Sequence, residues 1–482
     1  MSDNREHPLE FMFHPRSIAV LGATTNEDAS GAGGMGLAYV NGLKAFKFPG
    51  PIYPVNPKAS GTIAELPAYT SLLDVPGPVD QAYFCIPASA MPKAIQDCAA
   101  KGVKAIQCFT AGFSETGDTT RIALEKEVLR LVRETGIRLI GPNCMGLYCP
   151  GAGLSWGEYL PREAGNVGII SQSGNISLYL IDVTEVRGLR FSKVVSYGNA
   201  LDINEADLLD YFLHDPETQV IGAYIEGLRD GPRFQRLLRE AKKPVVIVKG
   251  GQTEAGARAV ASHTGSLAGY RAVWDALCQQ RSVIQVQTFD EMADVFVALL
   301  TFPKLPNGRG IGITGLGGGA SVMASEACQR AGLDVPILPE EVQKQLRAFT
   351  PEVGSSVRNP VDSNTVFQQE SLVNTLKVMA GSPEISCLLI HISTNLPIRK
   401  GMSDPADAVL EAAQQVDKPM AVVMLRGLHP DRLGRVLSTQ EKLQKAGIPV
   451  FYSLDSAASA ISKVIWYHEA KDSSWDTPAR RG

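Results

Sequence analysis

The sequence predicts an α/β protein made of three parallel-sheet units, and two observations support this prediction. Short apolar runs alternate with amphipathic helical patterns through most of the 482 residues, which is typical of a parallel sheet covered by helices on both faces. Landmarks in the middle of the chain return in the same order farther along, which indicates a tandem duplication. The length also favours about three domains.

The first unit, residues 1–145, alternates five predicted strands with helices. The strands are predicted at Ser17–Gly22, Ile52–Val55, Gln81–Pro87, Ala105–Thr110 and Arg138–Gly141, with helices that include Pro92–Lys101 and Arg121–Thr135. Because strands and helices follow one another directly, the strands are expected to run parallel in one sheet.

The second unit, residues 146–303, continues this alternation. Its predicted strands are Val167–Ile170, Lys193–Ser196, Val220–Glu226 and Pro244–Lys249, and its predicted helices are Asn175–Arg187, Glu205–Leu213 and Arg233–Ala241. The third unit, residues 304–470, opens with a strand at Ile311–Thr314. Residues 471–482 are polar and are expected to be a frayed tail.

Four landmarks of the second unit recur in the third. The pairs are Ser171–Gly174 with Gly315–Gly319, Gly198–Asp202 with Arg358–Asp362, Asp215–Glu217 with Ser382–Glu384, and Lys242–Pro244 with Asp417–Pro419. Since the order is preserved, the two units are expected to share one fold.

Composition and charge exclude several classes of protein. Apolar residues make up 44% and charged residues 20%, and the net charge of −4 gives no reason to expect nucleic acid or a membrane surface as partner. No apolar run approaches the roughly 18 residues of a membrane helix, and the first residues do not resemble a secretory signal. Eight cysteines without metal-ligand spacing predict reduced thiols, no metal site and a cytoplasmic location.

The turn after the first strand consists of small residues, Gly22, Ala23 and Thr24. Such a turn lets backbone N–H groups approach a phosphate, although a tight turn without a ligand is the alternative. Lys58 follows the second strand, where an NAD enzyme would carry an acidic residue. A lysine suits a nucleotide with an extra phosphate. CoA with its 3′-phosphate fits, and NADP remains possible.

A second strand-to-helix turn is formed by Ser171, Gln172, Ser173, Gly174 and Asn175. Small and hydroxyl residues at a helix start leave N–H donors and a favourable dipole for an anion. A plain helix N-cap is the alternative interpretation. The motif is not the nucleophile elbow of a serine hydrolase, because Ile169 stands where the first glycine is needed.

His263 lies among small residues, so a bulky ligand could reach its ring. Glu226 ends the strand next to the one that precedes His263, and its carboxylate could accept the N–H of one ring nitrogen and make the other nucleophilic. The alternatives are an ordinary surface or core histidine and a surface carboxylate at a strand end.

Together these motifs resemble the nucleoside-diphosphate-forming acyl-CoA synthetases, relatives of succinyl-CoA synthetase. The matching motifs run in the family's order: Gly22–Thr24, Val55–Lys58, Ala111–Glu115, Gly141–Cys144, Ser171–Gly174, Tyr224–Gly227 and Ser262–Gly265. The third unit resembles the additional flavodoxin-like domain of the archaeal-type enzymes. The resemblance implies a Rossmann-like CoA-binding domain followed by two flavodoxin-like doubly wound domains, the first of them carrying a phosphohistidine loop.

The resemblance also implies a relay in which ATP, an acid and CoA are converted to acyl-CoA, ADP and phosphate through an acyl phosphate and a phosphohistidine. His263 matches the phosphorylated residue, Glu226 its hydrogen-bond partner, and 171–175 the segment that holds the phosphoryl group. The positions that match the CoA-binding face are Gly22, Ala23, Thr24, Lys58, Ile86, Pro87, Ala111, Gly112, Asn143 and Cys144.

Two departures from the family pattern shape the expectations. The ATP-grasp domain of the family has no place among the three units, so a separate β-type subunit or a fusion partner is expected to supply ATP/ADP and Mg²⁺, within a hetero-oligomer. Residues 147–166 also differ from the expected pattern, which leaves the acid open. A CoA-binding subunit without catalysis and an NADP-dependent oxidoreductase remain alternatives, the latter leaving the 171–175 and 262–265 motifs unexplained.

Overall fold

The computed structural model describes residues 6–25, 31–264, 270–315, 317–393, 403–425 and 430–472. The chain divides into two compact parts, an N-terminal part, Met1–Phe289, and a C-terminal part, Asp290–Gly482. The N-terminal part contains two sheets and the C-terminal part contains one.

The first sheet has five parallel strands: β1 (Ile18–Leu21), β2 (Ile52–Val55), β5 (Gln81–Phe84), β6 (Ala105–Cys108) and β7 (Arg138–Ile140). The short strands β3 (Thr62–Ile63) and β4 (Leu66–Pro67) form a hairpin. The helices are α1 (Glu10–Phe13), α2 (Gly31–Ala45), α3 (Met91–Lys101) and α4 (Thr119–Thr135). In the order β2–β1–β5–β6–β7, the chain adds β2 on one side of β1 and the later strands on the other. The strand order therefore reverses between β1 and β5.

The second sheet has six strands: β8 (Gly146–Tyr148), β9 (Ala164–Ser171), β10 (Phe191–Ser196), β11 (Val220–Ile225), β12 (Val245–Lys249) and β13 (Ile284–Val286). Its helices are α5 (Gly174–Glu185), α6 (Glu205–His214), α7 (Gly231–Glu240), α8 (Glu254–Thr264) and α9 (Arg271–Gln280), and α10 (Phe289–Thr301) follows. The order is β13–β12–β11–β9–β10–β8, with β8 antiparallel to β10 and every other neighbour parallel.

The third sheet has the same order of five parallel strands, but its antiparallel edge strand enters at a different point of the chain. Its strands are β14 (Ile311–Gly315), β15 (Ser356–Val357), β16 (Val361–Asp362), β17 (Cys387–Ser393), β18 (Met420–Leu425) and β19 (Val450–Phe451). Its helices are α11 (Gly318–Arg330), α12 (Glu340–Arg347), α13 (Gln369–Gly381), α14 (Pro405–Ala413), α15 (Pro430–Lys445) and α16 (Leu454–Asp472). The order is β15–β16–β14–β17–β18–β19, again with an antiparallel edge strand beside the second parallel strand.

The sheets form because the strands are continuous apolar runs that helices cover on both faces. All four residues of β1 and all five of β12 are buried, as expected for central parallel strands. In such open sheets ligands bind beyond the carboxyl ends of the strands, where the strand order reverses. The N-terminal part, Met1–Phe289, has two such switch points, one between β1 and β5 and the other between β9 and β11.

The predicted α/β fold class is confirmed, and the strand bounds differ by a few residues. Helix α8, Glu254–Thr264, reaches into the predicted phosphohistidine motif Ser262–Gly265, and Gly265 lies outside the described residues. Helix α16 continues to Asp472, two residues into the predicted frayed tail, and residues 473–482 lie outside the described part of the chain. The domain boundaries at 145, 303 and 470 remain predictions.

Candidate active site

At the first switch point the backbones of two strand ends come into close contact at Gly22. This residue has φ +92°, and a Cβ atom there would lie 2.1 Å from the Cys85 carbonyl oxygen. Its N–H donates to the Val55 carbonyl at 2.8 Å. Only glycine fits this position, so the backbone of the Gly22–Thr24 turn can approach a ligand closely.

Asn56 joins this turn to Lys58. Its amide nitrogen donates to the Ala23 carbonyl at 2.7 Å, and its amide oxygen accepts the Lys58 N–H at 2.9 Å. Lys58 itself is exposed. The predicted phosphate-contacting lysine is therefore held beside the predicted phosphate-binding turn by one side chain.

The loops after β5 and β6 lie at the same edge of the sheet. The Thr110 hydroxyl donates to the Ile86 carbonyl at 2.7 Å, which ties the Ile86–Pro87 loop to the loop that begins at Ala111. In the latter loop Gly112 has φ +99°, and its N–H donates to Glu115 at 2.6 Å.

Glu115 connects the first sheet to the second. One oxygen accepts the Gly112 and Phe113 N–H groups, and the other accepts the Asn199 amide at 2.8 Å. Burial raises the pKa of the Glu115 carboxyl, but these hydrogen bonds outweigh burial and lower its pKa overall. The carboxylate therefore stays ionised and positions Asn199.

The loop after β7 contains Asn143 and Cys144. Asn143 has φ +58°, and its amide nitrogen lies 3.4 Å from the Asn199 amide oxygen. The Cys144 thiol is buried and contacts the Cys108 carbonyl at 3.3 Å. Burial raises the pKa of this thiol well above its usual value, so Cys144 is a packing residue rather than a nucleophile.

The 171–175 turn at the second switch point has the geometry of a helix start. Ser173 is the N-cap of α5, and its hydroxyl oxygen accepts the Ile176 N–H at 3.5 Å. The interpretation as a helix N-cap is therefore confirmed. Anion binding stays a prediction that is compatible with it, because a capped helix start also presents N–H groups and a positive dipole end.

Gln172 and Glu226 come together at this turn. The Gln172 side-chain oxygen accepts the backbone N–H groups of Glu226 at 2.9 Å and Gly227 at 3.3 Å. Glu226 is only 4% exposed, so the interpretation of a surface carboxylate at a strand end is wrong. The Tyr224 hydroxyl donates to the Glu226 carboxylate at 3.1 Å.

Lys249 is a neighbour of Glu226 that the sequence did not identify as a site residue. Its ammonium donates to the Glu226 carbonyl at 2.7 Å and lies 5.8 Å from the centre of the Trp274 ring. Burial lowers the pKa of Lys249 to about 8, against the opposing effect of the Glu226 charge. With Trp274 and Tyr270 it lines a cavity of about 760 Å³.

A small cavity joins the predicted phosphate-binding segment to the predicted CoA-binding face. Its volume is about 170 Å³. Its lining residues are Phe109, Asn143, Cys144, Met145, Gln172, Ser173, Gly174, Asn175, Gly198 and Asn199. Two predicted groups of residues from different sheets thus meet at one cavity, which makes it the candidate active site.

His263 belongs to helix α8, but its side chain lies outside the described part of the structure. Helix α8 contacts the short 3₁₀ turn Ser114–Thr116, which contains Glu115. The catalytic role of His263 therefore stays a prediction from the sequence.

Sequence reasoning omitted several residues that the structure brings to this site: Phe109, Glu115, Met145, Asn199 and Lys249. Signals for some of them existed. Glu115 ends a motif that was recognised, Met145 follows Asn143 and Cys144 directly, and Asn199 lies in one of the repeated landmarks.

One group of described side chains has the composition of a metal site. His7, Asp210 and His214 bring ligand atoms within 4.8 Å of one another. His7 Nδ1 accepts the Leu9 N–H at 3.1 Å, Arg233 donates to Asp210 at 3.0 Å, and His214 Nδ1 lies 2.8 Å from the Asp210 carbonyl. These contacts explain the group as a hydrogen-bonded junction between the N-terminal segment and α6.

Three family models match the chain in succession. A CoA binding domain matches residues 16–150, a succinyl-CoA ligase like flavodoxin domain matches 164–299, and a ligase-CoA domain matches 311–451. Among the described helices, none combines the length and apolar character needed to cross a membrane.

Relatives of this chain include alpha subunits and longer proteins. The chain is 34% identical to the alpha subunit of ADP-forming acetate–CoA ligase II of Pyrococcus furiosus, over 94% of this chain and 96% of that one. It is 36% identical to the ADP-forming acetate–CoA ligase of Methanocaldococcus jannaschii, over 74% of this chain but only 49% of that longer protein.

A solved structure shares the whole fold. The dinucleotide forming acetyl-coenzyme A synthetase 1 of Ca. Korarchaeum cryptofilum, in complex with phosphate and ADP, superposes with a TM-score of 0.82 at 29% identity, covering 97% of this chain and 98% of that one. The resemblance inferred from the motifs is confirmed: the chain belongs to the ADP-forming acyl-CoA ligases of the succinyl-CoA synthetase superfamily.

Proposed function

We propose that this chain is the α-type subunit of an ADP-forming acyl-CoA synthetase. In this role it interconverts a carboxylic acid, CoA and ATP with acyl-CoA, ADP and phosphate. The similarity to alpha subunits along nearly their entire length supports the proposal. The meeting of the 171–175 turn with the loops of the first sheet supports it independently.

The observation that carries the proposal is a buried carboxylate beside an anion-binding helix start. Glu226 is 4% exposed, and its backbone N–H is bonded to Gln172 in the 171–175 turn. A carboxylate alone would repel a phosphoryl group held by α5. An imidazole placed between them removes this conflict, because it donates an N–H to the carboxylate and carries the phosphoryl group on its other nitrogen.

His263 is the residue proposed for this place. In the direction of synthesis its ring nitrogen attacks the γ-phosphorus of ATP and releases ADP. The acid's carboxylate oxygen then attacks the phosphohistidine, which gives acyl phosphate and frees the ring nitrogen. Finally the CoA thiolate attacks the acyl carbon and phosphate leaves. The helix start of α5 stabilises phosphate oxygens with fixed dipoles, which need little rearrangement during transfer.

CoA is proposed to bind along the carboxyl edge of the first sheet. Gly22 permits close approach of the backbone, and the exposed Lys58 is available to a 3′-phosphate. The other proposed contacts are Ala23, Thr24, Ile86, Pro87, Ala111, Gly112, Asn143 and Cys144. Cys144 contributes through its backbone, since its thiol is buried.

The nucleotide and Mg²⁺ are proposed to bind to a partner that carries an ATP-grasp domain. Relatives of similar length are alpha subunits, and such a name implies a second subunit. The proposed assembly is therefore a hetero-oligomer with a β-type subunit.

Acyl-CoA synthesis by the reconstituted subunits tests the proposal. We expect His263→Ala to abolish turnover while CoA binding stays nearly intact, because the histidine is not part of the CoA face. We expect Glu226→Gln to lower kcat by about 100-fold or more, the usual contribution of a group that assists proton or charge transfer. His14→Ala, at an exposed histidine, is the control.

The outcome also separates this function from its alternatives. A His263→Ala variant that retains more than a few per cent of wild-type turnover contradicts the phosphohistidine relay. A wild-type chain that binds CoA yet makes no acyl-CoA with its partner would instead be a CoA-binding subunit without catalysis.

A further inference from the structure

The cavity at the second switch point is small and has one apolar side. Its volume is about 170 Å³. Pockets for drug-sized ligands are several times larger. Among the described lining residues, Phe109 and Met145 are the two large apolar side chains, and both are half-buried.

Met145 lies directly against the start of α5. A Cβ atom on Gly174 would be 2.6 Å from Met145 Cγ, so the methionine side chain covers the first residue of this helix. Since the phosphoryl group is proposed to bind at this helix start, Met145 is the apolar side chain next to the acyl carbon. Phe109, at the end of β6, lines the side that the first sheet contributes.

The position of Met145 is fixed by three hydrogen bonds to its backbone. Its carbonyl accepts the Tyr39 hydroxyl at 2.8 Å and the Gln107 amide at 3.2 Å. Its N–H donates to the Ser196 hydroxyl at 3.1 Å. All three partner side chains belong to buried residues, so the Met145 backbone cannot retreat to admit a larger ligand.

We propose that Met145 limits the acyl group of this enzyme to short, unbranched aliphatic acids, an inference that rests on the function proposed above. The acyl group is proposed to lie in the cavity of about 170 Å³, where the methionine side chain takes the place that a longer or branched acid would need. Removing its thioether end opens that place without altering the polar groups around it.

The test compares kcat/KM for acetate, isobutyrate and phenylacetate, with each variant reconstituted with its nucleotide-binding partner. Wild-type protein is expected to prefer acetate. In Met145→Ala the ratio of isobutyrate to acetate kcat/KM is expected to rise at least tenfold, since each methylene in an apolar pocket changes discrimination by about 10-fold or more. Met145→Leu keeps the volume and should stay within about threefold of the wild-type ratio.

Met323→Ala is the matched control, because it removes the same atoms from an exposed position on α11. A folded, active Met145→Ala variant with the wild-type ratio overturns the inference, as does a wild-type enzyme that prefers isobutyrate or phenylacetate. If Met145→Ala does not fold, Met145→Val carries the same expectation. A wild-type chain that ligates none of these three acids but is phosphorylated by labelled ATP overturns the inference alone, whereas a chain that is also not phosphorylated overturns the proposed function, so the two failures are distinguishable.

Discussion

Two lysines at strand ends of this protein have opposite surroundings. Lys58 follows β2 and is exposed, with only its backbone held by Asn56. Lys249 ends β12, is 8% exposed, and its ammonium is bonded to the Glu226 carbonyl. The first is therefore suited to meet a charged group from solution, and the second to act inside the folded protein.

Lys58→Ala is expected to weaken CoA binding more than dephospho-CoA binding. The lysine is proposed to contact the 3′-phosphate, which dephospho-CoA lacks, and a charge-assisted contact is stronger than a neutral one. Dissociation constants for both ligands, measured by calorimetry on wild-type and variant protein, check this. Equal losses for the two ligands would remove Lys58 from the 3′-phosphate site.

Lys249 is expected to make the free energy of unfolding depend on pH. Its pKa is about 8 in the folded protein and about 10.4 when unfolded, so between these values the unfolded chain binds more protons. Stability contributed by this residue therefore rises with pH across that window.

Urea unfolding of wild type and Lys249→Met at pH 7.5 and 9.5 measures this effect. The difference, wild type minus variant, should increase at the higher pH. Lys93→Met removes an exposed lysine and serves as the control. A Lys249 difference that is the same at both pH values would contradict a lowered pKa.

For single residues, the sequence could predict a site position where a polar side chain stands at a strand end. Glu226 was found in this way, but its burial was not, since burial depends on what packs over the strand. The pair Glu115 and Asn199 is 84 residues apart, and no local pattern joins such residues. Lys249 was missed because a lysine that ends a strand reads the same whether exposed or buried.

Two helices of the second sheet begin with different caps. Ser173 holds the first turn of α5 through one long hydrogen bond of 3.5 Å. Asn204 holds α6 through bonds of 2.9 and 3.3 Å within a reciprocal capping box with Asp207. The stronger cap thus stands at the helix away from the proposed phosphoryl site, while the weaker one leaves N–H groups of α5 open to an anion.

The two caps are predicted to affect stability and turnover differently. Ser173→Ala should cost about 0.5 kcal/mol of stability and Asn204→Ala about 1–2 kcal/mol, in the range known for helix caps. Of the two variants, only Ser173→Ala should slow acyl-CoA synthesis, because Ser173 lies at the proposed phosphoryl site and Asn204 does not. Thermal unfolding and turnover of both variants check this, and equal losses of turnover would show that the effect is one of stability alone.

Elements with long apolar runs could be predicted, whereas short edge strands could not. The predicted strand Ile52–Val55 is observed with the same bounds. Strands β8 and β15 have three and two residues, too few to show a period. No helix was predicted at α8, although its alanine-rich segment favours one.

In the molecule as a whole, the antiparallel edge strand precedes the first parallel strand in the second sheet and follows it in the third. The five parallel strands of the two sheets nevertheless have the same order. The repeated landmarks predicted this, because each marks a turn at a strand end that the topology requires. The sequence could not predict that loops of the first two sheets line one cavity, because this depends on contacts between segments far apart in the chain.

The eight cysteines give a property of the entire fold that can be measured. All are free and buried, and burial raises the pKa of every thiol. Native protein is therefore expected to react slowly with Ellman's reagent, and unfolded protein to release eight equivalents. Rapid reaction of one or more thiols in the native state would contradict this burial.

Phosphoryl labelling tests the central claim most directly. The purified chain is mixed with the proposed ATP-grasp partner, Mg²⁺ and γ-labelled ATP, and the product is examined for an acid-labile, base-stable phosphate. We predict that label appears on His263 of the wild-type chain and is absent from His263→Ala. An unlabelled wild-type chain that still binds CoA would contradict the phosphohistidine relay.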